Sequence, residues 1–164
     1  LPEAQLDRFL MHIKVGYPDA ATVKAILHLV RNEATTTQKD IPPAALTEQD
    51  LLTARQAVLA IHMAESVEEY LLQLVLATRN PGSYDAALER LIEYGASPRA
   101  TIALDRCARA RAWLDGRDFV TPDDVMTMAP DILRHRIIPS FEAEAEGYTT
   151  DTLIKRLLEL VPVI

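Results

Sequence analysis

The feature that most limits the fold of this chain is an apolar stripe between residues 67 and 78. Its residues fall at positions i, i+3, i+4, i+7, i+8 and i+11 and so share one face of an α-helix: Val67, Tyr70, Leu71, Leu74, Val75 and Thr78. Ser66 and Glu69 form a capping-box pattern before it, and Asn80-Pro81-Gly82 ends it. Such a helix needs other elements to cover this face.

Helical periodicity extends over most of the chain from Asp19 onward. One apolar stripe consists of Ala21, Ala25, Ile26, Leu29 and Val30, and a second, expected to be buried, consists of Leu51, Leu52, Val58, Leu59 and His62. A polar loop over 35–43 separates these two. Further helices are predicted over 84–92, 97–115, 121–136 and 149–160.

Only Met11 to Gly16 alternates apolar and polar residues as a half-buried strand does. Hydrophobic residues make up 49% of the chain but aromatic residues only 5%, so the core is expected to be aliphatic. The predicted fold class is therefore all-α, a multi-helix bundle preceded by one strand.

Charge and cysteine content narrow the function classes. The net charge of −7 and a pI near 5.1 argue against a nucleic-acid-binding surface, including a helix-turn-helix DNA binder. The single cysteine, Cys107, fits a reducing compartment, so we expect a cytoplasmic protein. No apolar run approaches the roughly 20 residues that span a bilayer. The chain begins at Leu1 in the middle of a pattern, which suggests a piece of a longer protein.

Few residues form a recognisable chemical motif. The five glycines are too scattered for a phosphate-binding loop or a dinucleotide-binding fingerprint, and no histidine has a metal-ligand neighbour at the usual spacing, so no metal site is predicted. Cys107 fits a small core residue. The alternating acids Glu142, Glu144 and Glu146 fit a solvated loop, with calcium binding or acid–base chemistry as the alternative.

Arg99 is the most informative candidate. In the segment 95–100 (GASPRA), Ser97 is the predicted N-cap and Pro98 the first helical residue, which places Arg99 in the first turn. The helix dipole disfavours a cation there unless an anion binds, so Arg99 is either a phosphate-binding side chain or a solvated surface arginine. Arg106, Arg109 and Trp113 share its helical face, which either is solvated or meets an anion or acidic partner.

Six segments of the chain closely resemble MoxR-type AAA+ ATPases, in the family's order. They are LPEAQLDRF at 1–9, GYPD at 16–19, ATRNP at 77–81, GASPRA at 95–100, GRDFVTPDDV at 116–125 and LRHRI at 133–137. The resemblance implies that residues 1–18 form the end of the α/β ATPase core, with its last strand, and that residues 19–164 form the helical lid.

The resemblance also implies roles for two arginines. Arg8 matches the arginine finger that reaches the γ-phosphate in a neighbouring subunit, and Arg99 matches sensor 2, the lid arginine that contacts the nucleotide. Without the resemblance, an ion pair of Arg8 with Asp7 or Glu3 is the alternative.

The same resemblance predicts the activity of the full-length protein. It would bind ATP and Mg²⁺ mainly through an upstream core, hydrolyse ATP in a ring of subunits, expected to be a hexamer, and act as a chaperone-like factor for partner proteins, often with von Willebrand A domains. This chain lacks the Walker A and Walker B motifs, so we expect it to be inactive alone, with no nucleotide bound. The alternative is a stand-alone helical interaction module without nucleotide chemistry.

Overall fold

A computed structural model describes residues 2–35 and 45–163. In these ranges the chain is mainly helical, which confirms the predicted fold class. The helices are α1 (Glu3–Leu6), α2 (Ala20–Thr35), α3 (Glu48–Ala60), α4 (Glu65–Arg79), α5 (Ala86–Glu89), α6 (Pro98–Leu114), α7 (Pro122–Leu133), α8 (Phe141–Ala145) and α9 (Thr150–Leu160). The predicted loop over 35–43 lies outside the described residues except for Thr35, which ends α2. None of the described helices is both long and apolar enough to cross a membrane.

The chain divides into two compact units, Leu1–Ile13 with Thr53–Ile164, and Lys14–Leu52. In the smaller unit, α2 forms as predicted but buries none of its residues. The expected burial of the second stripe is wrong, because Leu51, Leu52 and Leu59 are all exposed. Periodicity identifies a face that a partner can cover, but it does not show that this chain supplies the partner.

The core of the larger unit is built from α4, α6, α7 and α9. All six residues of the stripe from Val67 to Thr78 are buried, as predicted. The close packing of α6 on this core involves small residues, Ala100, Ala103, Ala108 and Ala112. The predicted start of α4 is wrong: the helix begins at Glu65 after Ala64, without a side-chain cap, so Ser66 lies inside its first turn.

Three other helices begin where the sequence predicts. Ser97 caps α6, Thr121 and Asp124 form a capping box on α7, and Thr149 caps α9. The predicted helix over 84–92 is wrong. The chain instead forms a 3₁₀ turn at Pro81–Ser83 and the short α5, and Ile92 then enters a strand.

The strand predicted at Met11–Gly16 does not form, although the structure contains a small sheet elsewhere. Strands β1 (Ile92–Tyr94) and β2 (Ile138–Pro139) pair antiparallel, with Ile92 opposite Pro139. The backbone of His12 bonds to the end of α7 instead: its N–H donates to the Asp131 carbonyl at 2.7 Å, and its carbonyl accepts from Arg134 Nη1 at 2.6 Å. The N–H and the carbonyl of His12, which would pair with a neighbouring strand in a sheet, are thus satisfied by Asp131 and Arg134.

Candidate functional site

Arg99 lies in the first turn of α6, as predicted. Ser97 Oγ accepts a hydrogen bond from the Arg99 N–H at 3.2 Å, and the Ala100 N–H donates to the Ser97 carbonyl at 2.9 Å. Pro98 has no N–H. The first backbone N–H groups of α6 are therefore already bonded, and an anion here would be bound by the guanidinium group of Arg99.

The Arg99 side chain is available for such a contact. It is 53% exposed, and its Nε atom is 3.9 Å from Asp7 Oδ2, at the outer limit of an ion pair. Exposed pairs of this kind contribute about 0–1 kcal/mol. Replacing the Asp7 contact of Arg99 with an anion would therefore cost little free energy.

The loop before α6 is held against the end of α4. Thr78 Oγ1 donates to the Val75 carbonyl at 2.7 Å and accepts from the Ala96 N–H at 2.9 Å. The Nε of Arg79 donates to the Ala96 carbonyl at 2.7 Å. These bonds fix the position from which Ser97 and Arg99 project, a role of Thr78 that its place in the apolar stripe does not reveal.

Arg8 follows the short helix α1 and is exposed. Within the described residues its side chain has no hydrogen bond or ion pair. The alternative in which Arg8 pairs with Asp7 or Glu3 is therefore not observed, and the Asp7 carboxylate is bonded to Ser97 and Arg136 instead.

Asp7 joins the segment around Arg8 to the start of α6. The Ser97 hydroxyl lies 3.0 Å from Oδ1 and 2.8 Å from Oδ2 of Asp7, so it donates to this carboxylate while it caps the helix. The Nε of Arg136 donates to Asp7 Oδ1 at 3.0 Å. One carboxylate thus connects three separate parts of the sequence.

Arg136 is the buried cation of this cluster, and its side chain is only 2% exposed. Besides Asp7 Oδ1, it donates to four carbonyl oxygens: those of Asp7 at 3.1 Å, Phe9 at 2.7 Å, Leu10 at 3.3 Å and Ile132 at 2.5 Å. Burial lowers the pKa of Arg136, and Asp7 opposes that shift. The sequence alone does not reveal this role of Arg136. Its place just after the C-terminus of α7 is already explained by the helix dipole, which favours a cation there.

His135 lies beside Arg136 and contacts the same segment. Its Nε2 is 3.0 Å from the Phe9 carbonyl, and burial lowers the pKa of its imidazole. A cavity of about 510 Å³ opens here, lined by Asp7, Tyr94, Ser97, His135 and Arg136 among others. Among the described residues, no group of three or more His, Cys, Asp or Glu is placed to hold a metal ion.

Three other candidates from the sequence have structural partners, and a fourth is buried. Arg109 bonds to Asp105 and to the Ile61 carbonyl, so the face of α6 that starts at Arg99 is not a row of free cations. Glu142 and Glu146 both pair with Arg90. Cys107 is buried, which raises the pKa of its thiol.

The chain is similar to known proteins in both sequence and structure. Residues 85–157 match the model of the AAA lid domain. Chaperone MoxR1 of Mycobacterium tuberculosis is 36% identical, over 98% of this chain and 42% of its own length. Protein MoxR of Methylorubrum extorquens is 33% identical, over 99% of this chain and 50% of its own. The crystal structure of a candidate ATPase from Cytophaga hutchinsonii superposes with a TM-score of 0.91 at 39% identity, over 100% of this chain and 49% of the other.

The chain belongs to the MoxR family of AAA+ ATPases. It spans about half the length of the curated MoxR relatives that it matches. Within this MoxR-family chain, the region that matches the lid model contains Arg99 and Arg136, whereas Asp7 and Arg8 lie before it.

Proposed function

We propose that this chain is the lid-containing part of a MoxR-type ATPase in which Arg99 and Arg8 contact the phosphates of ATP. Arg99 acts as sensor 2 on the nucleotide, and Arg8 acts as an arginine finger on the nucleotide of a neighbouring subunit. The observation that carries this proposal is the exposed Arg99 side chain in the first turn of α6, with only a 3.9 Å contact to Asp7.

Electrostatics explain why an arginine at this position favours a phosphate. The positive end of the α6 dipole destabilises the guanidinium group by about 0.3–1 kcal/mol. A bound anion interacts favourably with both the dipole and the guanidinium group. The guanidinium fork matches two phosphate oxygens at once. Arg99 therefore gains more from a nucleotide than from solvent.

The chemistry of the proposed reaction is charge stabilisation and positioning. Arginines around a γ-phosphate stabilise the charge that develops during phosphoryl transfer, a contribution of about 10³–10⁵ in rate for an arginine finger. The absence of a bonded partner for Arg8 within the described residues leaves its guanidinium free for such a contact. The described residues offer no cluster that fits Mg²⁺, so no step on this chain is assigned to the metal.

Membership of the same family also supports a proposal for what the full-length protein does. We propose a ring of subunits, hexameric in the simplest case, that uses ATP hydrolysis to mature or activate client proteins, including proteins with von Willebrand A domains, in the cytoplasm. In this scheme the nucleotide state changes the position of the lid, and the lid passes that change to the next subunit.

The test is subunit mixing in the full-length protein. Arg8→Ala should abolish ATP hydrolysis while ATP affinity stays within about threefold, since Arg8 acts on a neighbour's nucleotide. Mixing Arg8→Ala subunits with subunits whose Walker A lysine is replaced should restore part of the activity, because an intact finger then meets an intact pocket.

The control is Arg90→Ala, which removes an exposed arginine that pairs with Glu142 and Glu146. This variant should hydrolyse ATP at the wild-type rate. A mixture that stays inactive, together with a collapse of ATP affinity in Arg8→Ala alone, would show that Arg8 is structural.

A further inference from the structure

We propose that Asp7 and Arg136 are positioning residues that hold the backbone around Arg8 in a fixed relation to the start of α6. Movement of the helix that carries Arg99 is then passed directly to Arg8. This inference rests on the proposed function, in which both arginines contact nucleotide phosphates, and adds the connection between them.

The first step is the grip of Arg136 on the backbone at either side of Arg8. Its Nη2 donates to the Asp7 carbonyl at 3.1 Å and to the Phe9 carbonyl at 2.7 Å. Its Nη1 reaches the Leu10 carbonyl at 3.3 Å. The carbonyl groups of the two residues that flank Arg8 are therefore both held, while the Arg8 side chain itself stays exposed.

The second step is the cost of burying this guanidinium. Removing a charge from water costs several kcal/mol unless hydrogen bonds and an opposite charge offset it. Arg136 meets that condition with the Asp7 carboxylate and four carbonyl oxygens, and all but one of these five acceptors belong to residues 7–10. The fit is specific to the arginine fork, since lysine presents a point charge without this geometry.

The third step is the link from Asp7 to α6. The Ser97 hydroxyl donates to the Asp7 carboxylate at 2.8 Å and accepts from the Arg99 N–H at 3.2 Å. Asp7 is adjacent to Arg8 in the chain, and Ser97 is two residues before Arg99, so the bond between Asp7 and Ser97 connects the backbone near the two arginines. A displacement of the α6 terminus thus moves Asp7, and Asp7 moves Arg8.

Neighbours of Arg136 strengthen the docking of the same segment. His135 Nε2 lies 3.0 Å from the Phe9 carbonyl, and Arg134 Nη1 donates to the His12 carbonyl at 2.6 Å. Three consecutive residues after α7 therefore contact residues 7–12. The segment around Arg8 is attached to the end of α7 as well as to α6.

The experiment places Arg136→Lys on one side of a complementing pair in the full-length protein. One subunit carries Arg8→Ala and supplies the intact pocket. The other carries a Walker A substitution and supplies the intact finger. Adding Arg136→Lys to the finger-supplying subunit should lower the restored ATPase rate about 10–100-fold, because a displacement of about 1 Å at a catalytic group costs about 10²-fold. Adding it to the pocket-supplying subunit should leave the rate within about twofold.

Matched variants exclude a general loss of structure. Asp7→Asn should reproduce the asymmetry, since it keeps the shape of the side chain and removes the charge. Arg90→Lys should show no effect on either side of the pair. ATP affinity and Tm of each purified variant are measured alongside: ATP affinity should stay close to that of the parent subunit, and Tm, which falls where the buried pair loses a partner, should remain above the assay temperature.

The outcomes separate this inference from the function on which it rests. Equal losses on both sides, or no loss on the finger-supplying side for both Arg136→Lys and Asp7→Asn, would overturn the positioning role while complementation by the parent pair still supports the finger. Failure of the parent pair to complement would overturn the proposed function, and the positioning role with it.

Discussion

Gly95 packs directly against the carbonyl group of Thr78, so closely that a Cβ atom at Gly95 would lie 2.3 Å from that oxygen. The contact brings the Ala96 N–H to within 2.9 Å of Thr78 Oγ1. It places the loop that leads to Ser97 and Arg99 on the end of α4, which makes Gly95 a steric requirement for the position of Arg99.

We therefore expect Gly95→Ala to destabilise the chain by about 1–3 kcal/mol, as overpacking of a tight contact does. The matched control is Gly16→Ala, because no atom lies within 4 Å of a Cβ at Gly16. Urea unfolding of both variants measures the difference. Equal stability of the two variants would show that the loop relaxes without cost.

Arg99→Ala should change the free energy of unfolding by no more than about 0.5 kcal/mol in either direction, because the side chain is 53% exposed and its contact with Asp7 is long. Thermal unfolding of the chain checks this value. A loss of several degrees in Tm, combined with unchanged ATPase activity in the full-length protein, would make Arg99 a structural residue.

Asp124 should make the chain sensitive to acid. Its burial disfavours ionisation, but hydrogen bonds from Arg117 and Thr121 outweigh burial and lower its pKa to about 2 from 3.8. A carboxylate with a lowered pKa stabilises the fold above the unfolded value, and this stability is lost as the pH falls from about 4 toward 2. The expected loss is about 2 kcal/mol, at about 1.4 kcal/mol per pKa unit.

The measurement is urea unfolding between pH 5 and pH 2. Asp124→Asn should be less stable than the wild type at pH 5, and the difference should shrink at pH 2. Asp123→Asn is the control at the exposed neighbouring position and should follow the wild-type pH dependence. A parallel loss in wild type and Asp124→Asn would contradict the assignment.

Tyr70→Phe should leave stability unchanged or raise it by up to about 1 kcal/mol. The ring is fully buried, and its hydroxyl has no hydrogen-bond partner among the described residues. Phenylalanine keeps the packing and removes a polar group that has been taken from water without compensation. Calorimetry of the two proteins decides, and a clear decrease in Tm would indicate that the hydroxyl is bonded in solution.

Much of the helical fold could be predicted from local patterns. The stripe from Val67 to Thr78 is buried, and Ser97 caps α6 with Arg99 in its first turn, because periodicity and caps depend on residues only a few positions apart. The same logic failed at Ser66, because α4 has Ala64 as its N-cap residue, two residues before the predicted cap, and no side-chain cap. It also failed at Met11–Gly16: the residues alternate as in a strand, but no strand forms there, and the backbone of His12 bonds to Asp131 and Arg134 instead.

The sequence by itself thus determined the longer helices, the capped starts of α6, α7 and α9, and the two arginines that resemble phosphate ligands in this family. Only the tertiary structure decided that Asp7 bonds to Arg136, 129 residues later, and to Ser97, and that Arg8 is left without a partner among the described residues. A helix depends on contacts three or four residues apart, whereas an ion pair between distant residues depends on how the packed helices bring them together. A buried charged residue requires a partner of opposite charge or a set of hydrogen bonds, but only the fold decides which residues supply them.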